Sequence, residues 1–91
     1  MSRPRSDHDV FRAVADPVRH RILTLLSRGP LTPGELVVQV GRAGSTVSEH
    51  LRILRAVGLV VDRPRGVQLV YALRTERLRA LREWLQSTSR T

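Results

Sequence analysis

The sequence predicts a mainly α-helical fold with a small β-hairpin, in the order helix, helix, helix, helix, strand, strand, helix. Three observations carry that expectation. Apolar residues recur at helical spacing through most of the chain. Helix-start and helix-stop residues punctuate them at short intervals. The apolar period shortens to two only over residues 59–73, around a segment bearing Pro64 and Gly66.

Taken in order, residues 1–7 are polar and basic and are expected to form a flexible arm. Val10, Phe11 and Val14 then form a short helical stripe that Asp16-Pro17 interrupts. Proline disfavours helix in the residue before it and suits the first turn of the next helix, which makes Asp16 an N-cap. Val18, Ile22, Leu25 and Leu26 define the buried side of a second helix, stopped by Gly29-Pro30. Thr32-Pro33-Gly34-Glu35 has the spacing of a capping box with proline in first position, opening a third helix with Leu36, Val37 and Val40 inward. Gly41 ends it, and Arg42-Ala43-Gly44 turns the chain. A fourth helix is expected from about Ser45 to Val57, with Val47, Leu51 and Leu54 buried and Gly58 as its stop. Its cap is expected from Ser45 or Thr46, since Thr46 and Glu49 are spaced as a capping box.

Leu59-Val60-Val61 reads as one strand and Gln68 to Leu73 as another, with Asp62-Arg63-Pro64-Arg65-Gly66 as the loop between them and Leu69, Tyr71 and Leu73 on one face. From Thr75 to about Gln86, helical spacing returns with Leu78, Leu81 and Leu85 in line and Trp84 beside them. A short helix, a tight turn, a longer helix and a hairpin make a winged helix-turn-helix. The domain is placed at residues 8–87, followed by a flexible tail at 88–91.

Composition restricts function. The 91 residues suit one domain and carry sixteen basic side chains, all arginine, against eight acidic ones, for a net charge of +8. That balance favours a polyanionic partner. Hydrophobic residues make up 41% of the chain, enough for a core, and cysteine is absent, which excludes disulfides and thiolate chemistry. No apolar run is long enough to span a membrane, and the start of the chain does not resemble a secretory signal, so a cytoplasmic location is expected, on the nucleoid when DNA is bound. No nucleophile–base pair, phosphate-cradling glycine loop or metal triad appears; no enzyme and no cofactor is expected. His8 and His20 lack metal-ligand spacing.

The stretch from Phe11 through Asp16-Pro17 to Leu26 resembles the opening of the ArsR/SmtB repressors. Ser45 to Val60 resembles their recognition helix and first wing strand, and Arg63 to Gly66 followed by Tyr71-Ala72-Leu73 is similar to their wing. The likeness covers about residues 8–86. It implies a bacterial homodimeric transcriptional repressor bound to an inverted-repeat operator in double-stranded DNA. Metal sensors of that family often carry Glu-Leu-Cys-x-Cys in the third helix; here the stretch is Glu35-Leu36-Val37-Val38-Gln39, and the last helix has no histidine. The resemblance is therefore to a member without the metal-sensing sites. Its effector is left open between a small molecule, a protein partner and none.

With Val47, Leu51 and Leu54 inward, Ser45, Thr46, Ser48, Glu49 and Arg52 are expected to face a major groove, as base readers or phosphate ligands; a solvated helix face is the plain alternative. Arg55 adds to the basic surface of that helix. Arg63 and Arg65 at the hairpin tip suit the backbone or a narrow minor groove, with Gln68 as a further contact. His50 is read as a packing residue with local bonds, against a DNA or effector role, and Arg19 as either a phosphate contact or solvated. Val10, Phe11, Val14, Leu78, Leu81, Trp84 and Leu85 offer apolar faces at both ends of the chain, for pairing with a second copy or closing the core of one. Two other functions compete. A winged helix that binds protein would tend to lose its basic groove face, and an architectural DNA binder would ignore sequence.

Overall fold

The structure, a computed structural model, describes residues 7–89, and the side chains of residues 10–87. Of the expected arm over residues 1–7 and tail over residues 88–91, residues 1–6 and 90–91 lie outside the described residues, while Asp7 and residues 88–89 belong to the terminal helices. Helix α1 spans Asp7–Ala15, α2 Pro17–Leu26, α3 Pro33–Val40 and α4 Gly44–Ala56; strands β1 (Val60–Arg65) and β2 (Gln68–Leu73) follow, then helix α5 (Thr75–Ser89). The expected element order is observed. α1 starts three residues before Val10, the first residue of the predicted stripe, and α5 runs three beyond Gln86.

Local chemistry places most boundaries. Asp16 accepts the Arg19 backbone N–H at 3.0 Å and caps α2. Thr32 accepts from the Glu35 N–H at 3.1 Å while Glu35 accepts from the Thr32 N–H at 2.8 Å, a complete capping box for α3. Gly41 closes α3 in the left-handed region at φ +76°, where a side chain is strained.

α4 departs from expectation. It begins one residue earlier, at Gly44, with Ala43 as N-cap and no side-chain cap. The turn left by Gly41 lets the Ala43 carbonyl accept from the Val47 N–H at 3.0 Å, so Thr46 already lies within the first turn and the Thr46–Glu49 box does not form.

The hairpin also differs. Residues expected as a loop, Asp62 to Arg65, extend β1, and the turn is only Gly66-Val67 between the Arg65–Gln68 pair. Gly66 has φ +63° and Val67 no positive φ, the pattern of a type II′ turn that matches strand twist. Pro64 is tolerated because β1 is an edge strand. On β2 the most buried side chains are Val70 and Ala72, not Leu69, Tyr71 and Leu73; Leu69 lies toward the tip and is exposed, while Tyr71 and Leu73 pack partly against the core. Leu31 explains part of this. It exchanges backbone hydrogen bonds with Tyr71 at 3.0 and 2.8 Å, covering the other edge of β2 and tying the wing to the α2–α3 connection.

One core joins these elements. Ile22, Leu25 and Leu26 of α2, Leu36 of α3, Val47, Leu51 and Leu54 of α4, and Leu59 and Val60 leading into the wing are all buried. Val10 and Ala13 of α1 are buried with them, so Val10 closes the core of this chain. Phe11 and Val14 are half-buried, Leu78 and Leu81 pack on the core, and Trp84 and Leu85 remain 46% and 48% exposed. Phe11 and Trp84 meet with ring centroids 5.3 Å apart, joining the two terminal helices.

Candidate nucleic-acid interface

α4 has three distinct sides. Val47, Leu51 and Leu54 are inward. Ser45, Ser48, Glu49, Arg52 and Arg55 are exposed and fall at intervals of three and four, so they form one outward stripe. Thr46, His50, Ile53 and Val57 are half-buried and form a shoulder between the two. Thr46, expected outward, therefore belongs to the shoulder. The inward side is anchored in the core, which presents the stripe on a rigid element.

The charged members of the stripe hold each other. Arg52 donates to Glu49 through Nε at 3.1 Å and Nη2 at 2.6 Å. These bonds hold the Glu49 carboxyl below its ordinary value and raise Arg52. Arg55 lies 3.7 Å from Asp62, linking the last turn of α4 to β1. Three of the expected contacts are thus engaged in exposed ion pairs, which exchange readily with solvent or a competing anion. The uncapped start of α4 leaves its first backbone N–H groups without a side-chain acceptor, a favourable position for a phosphate oxygen.

The hairpin supplies the second group. Cross-strand partners share a face and residues alternate along each strand. The pairs Arg63–Val70 and Arg65–Gln68 consequently put Arg63, Arg65 and Gln68 on one face near the tip, all exposed. The longer strand was not legible from the sequence, but it makes this basic face more rigid than a loop.

Behind the shoulder lies a cluster that spacing did not reveal. Arg19 donates through Nε to the Ala13 carbonyl at 2.8 Å and through Nη1 to His50 Nδ1 at 3.3 Å. Asp16 Oδ2 is 3.7 Å from the same nitrogen. Arg19 thus ties the end of α1 to α2 and, through His50, to α4. The packing role expected for His50 is observed. The Asp16 carboxyl is held below its ordinary value, chiefly by the Arg19 N–H; partial burial opposes this, and the neighbouring His50 and Arg19 add to the lowering. A depressed carboxylate stabilises the fold above its unfolded value, and that stability is lost as pH falls through the folded one. Asp16→Asn keeps a cap but removes the titration. Its stability deficit relative to the parent chain is expected to be constant near neutral pH and to shrink below about pH 4; urea midpoints across a pH series check this, and a deficit independent of pH contradicts it.

Among the described residues, no three His, Cys, Asp or Glu side chains gather as a metal site. α3 presents Val37 and Gln39, a hydrocarbon and a neutral amide, which do not fit a thiophilic metal.

The family description "Bacterial regulatory protein, arsR family" matches residues 16–61, from the cap of α2 through the start of β1. The chain belongs to the ArsR family. This ArsR-family chain is 42% identical over 82 residues to the HTH-type transcriptional regulator Rv2034 of Mycobacterium tuberculosis, covering 90% of the chain and 77% of that protein. It is 32% identical over 78 residues to the transcriptional repressor SdpR of Bacillus subtilis, covering 86% and 87%. Matched stretches span from 52% to 87% of the lengths of the curated relatives compared. The ArsR-like transcriptional regulator from Rhodococcus sp. RHA1 superposes with a TM-score of 0.82 at 27% identity, over 90% of this chain and 75% of that one. The ArsR-family chain is accordingly a transcriptional regulator with a DNA-binding helix-turn-helix, formed by α3 and α4 and followed by the β1–β2 wing. The family is one of regulators rather than enzymes.

Proposed function

We propose that the protein is a homodimeric transcriptional repressor that reads an inverted-repeat operator in double-stranded DNA. The observation that carries this is the outward stripe of α4 beside the basic face of the wing. Ser45 and Ser48, with Thr46 at the shoulder, stand at the helix start, where a recognition helix meets base edges. Glu49 accepts from a cytosine amino group and Arg52 forks onto guanine or phosphate once their mutual pair opens. Arg55, Arg63, Arg65 and Gln68 hold the backbone on either side. Likeness to a repressor, SdpR, supports the sign of regulation: a dimer seated on promoter DNA excludes polymerase. The regulator acts in the cytoplasm, on the nucleoid.

Pairing of two copies through α1 and α5 is supported by apolar surface left uncovered. Trp84 and Leu85 are half exposed on α5, with Phe11 stacked against Trp84. Leu78, Leu81 and Val14 extend this surface; Val10, being in the core, contributes only from beneath. Two-fold symmetry places the recognition helices roughly 34 Å apart, about one DNA turn.

Selection of bound duplexes from a random pool, repeated at two salt concentrations, tests the reading. Two inverted half-sites about one turn apart are expected. Ser48→Ala should erode the preference at one base position by about tenfold while leaving random-duplex binding intact. Enrichment of no sequence, or of a single half-site, refutes it.

A further inference from the structure

We infer that a cleft between the start of α2 and the α3–α4 turn is a further DNA-backbone site, in which Arg21 and Arg42 grip one phosphodiester of the duplex; it rests on the proposed function and adds a contact outside the α4 stripe and the wing. The cleft is lined by Pro17, Val18 and Arg21 of α2, Val40 of α3 and Arg42 of the turn. Both guanidinium-bearing residues are exposed, and neither makes a side-chain hydrogen bond or ion pair among the described residues. In this they differ from Arg19, Arg52 and Arg55, whose partners lie within the chain. Two like charges from separate elements border one space, and no carboxylate lines it to offset them. An anion between them removes their mutual repulsion, and guanidinium forks match phosphate oxygens bidentately.

The occupant follows from the rest of the lining. Pro17, Val18 and Val40 give the cleft an apolar floor. Free phosphate would use the charges alone, whereas a phosphodiester carries a deoxyribose beside its charge and uses both. The volume, about 200 Å³, is below the range of small-molecule pockets and suits a single backbone unit entering from outside. Position makes that backbone part of the duplex met by α4. Arg42 directly precedes Ala43, the N-cap of α4, and Asp16, next to Pro17, lies 3.7 Å from His50 on the α4 shoulder. The cleft therefore stands beside the start of α4, the end that a recognition helix brings to the groove and its bordering phosphates. The wing leaves from the other end of α4, and the cleft is a grip separate from it.

Duplexes carrying a neutral methylphosphonate in place of one phosphate at a time test the site with the full chain. At one phosphate per half-site of a selected duplex, the replacement is expected to raise the parent Kd about tenfold. In Arg42→Ala, and equally in Arg21→Ala, the same replacement should change the Kd by less than about twofold, since its partner is already lost. The two substitutions together should weaken operator and random duplexes alike and make the slope of log affinity against log salt shallower by about one, because both side chains hold a single phosphate. Their urea midpoints should match the parent, both side chains being exposed. Arg79→Ala, which removes an exposed charge from α5, should leave the methylphosphonate profile and the slope unchanged. Penalties that persist at every phosphate in Arg21→Ala and Arg42→Ala, or a loss in Arg79→Ala equal to that in Arg42→Ala, overturn the cleft. Selection that enriches no inverted repeat, with the random-duplex slope still shallower in the double variant, removes the proposed operator alone and upholds the cleft.

Discussion

Replacing Leu54 by alanine is expected to destabilise the fold by about 2–5 kcal/mol, a large share of the roughly 5–15 kcal/mol that holds a typical domain together. Leu54 is fully buried in the centre of the core, and its own carbonyl accepts from the Leu59 N–H at 3.0 Å where α4 passes into the wing. Truncation leaves a cavity between α4 and the elements packed on it, and a domain this small has little redundant burial to refill it. Urea unfolding checks this through the midpoint at unchanged slope. Duplex affinity should fall with the folded fraction and recover as stability is restored, because the outward stripe itself is untouched. A loss under about 1 kcal/mol would show that α4 is not anchored as described.

The second large effect is expected from Arg63→Ala combined with Arg65→Ala. The two side chains share one exposed face near the wing tip with Gln68, and neither contributes to the core. Stability should therefore be nearly unchanged. Affinity should drop about a hundredfold, equally for operator and random duplex, since charge-assisted phosphate contacts carry affinity without sequence information. The slope of log affinity against log salt should become shallower by about two, one for each phosphate released. The comparison with Ser48→Ala separates the two surfaces: one variant loses grip, the other selectivity. If the double variant instead loses operator preference while keeping random-duplex affinity, the wing reads bases and the assignment is wrong.

Where the chemistry is local, the chain could be read directly. Asp16 capping α2, the Thr32–Glu35 box and the left-handed stop at Gly41 all involve residues within four positions of one another, so spacing alone exposes them. Ile22, Leu36, Val47, Leu51 and Leu54 betray their burial by period, because one helix face must be apolar to pack. The start of α4 was displaced by one residue because a backbone carbonyl, that of Ala43, closes its first turn in place of any side-chain cap. The full length of the wing is not legible along the chain because Arg63, Pro64 and Arg65 have loop composition; what makes them strand is pairing with Val70, Leu69 and Gln68, contacts made across the turn.

The sequence by itself determined the order of elements, the basic character of the chain and the anchored side of the recognition helix, since each follows from composition or from neighbours along the chain. Tertiary structure alone decided which polar side chains are available. It set Arg19 and His50 between α1 and α4, placed Val10 in the core, and laid Leu31 along the edge of the wing. The physical reason is sequence distance. Arg19 and His50 are 31 positions apart, and Leu31 and Tyr71 lie on separate elements, so their contacts exist only once the core has brought those elements together.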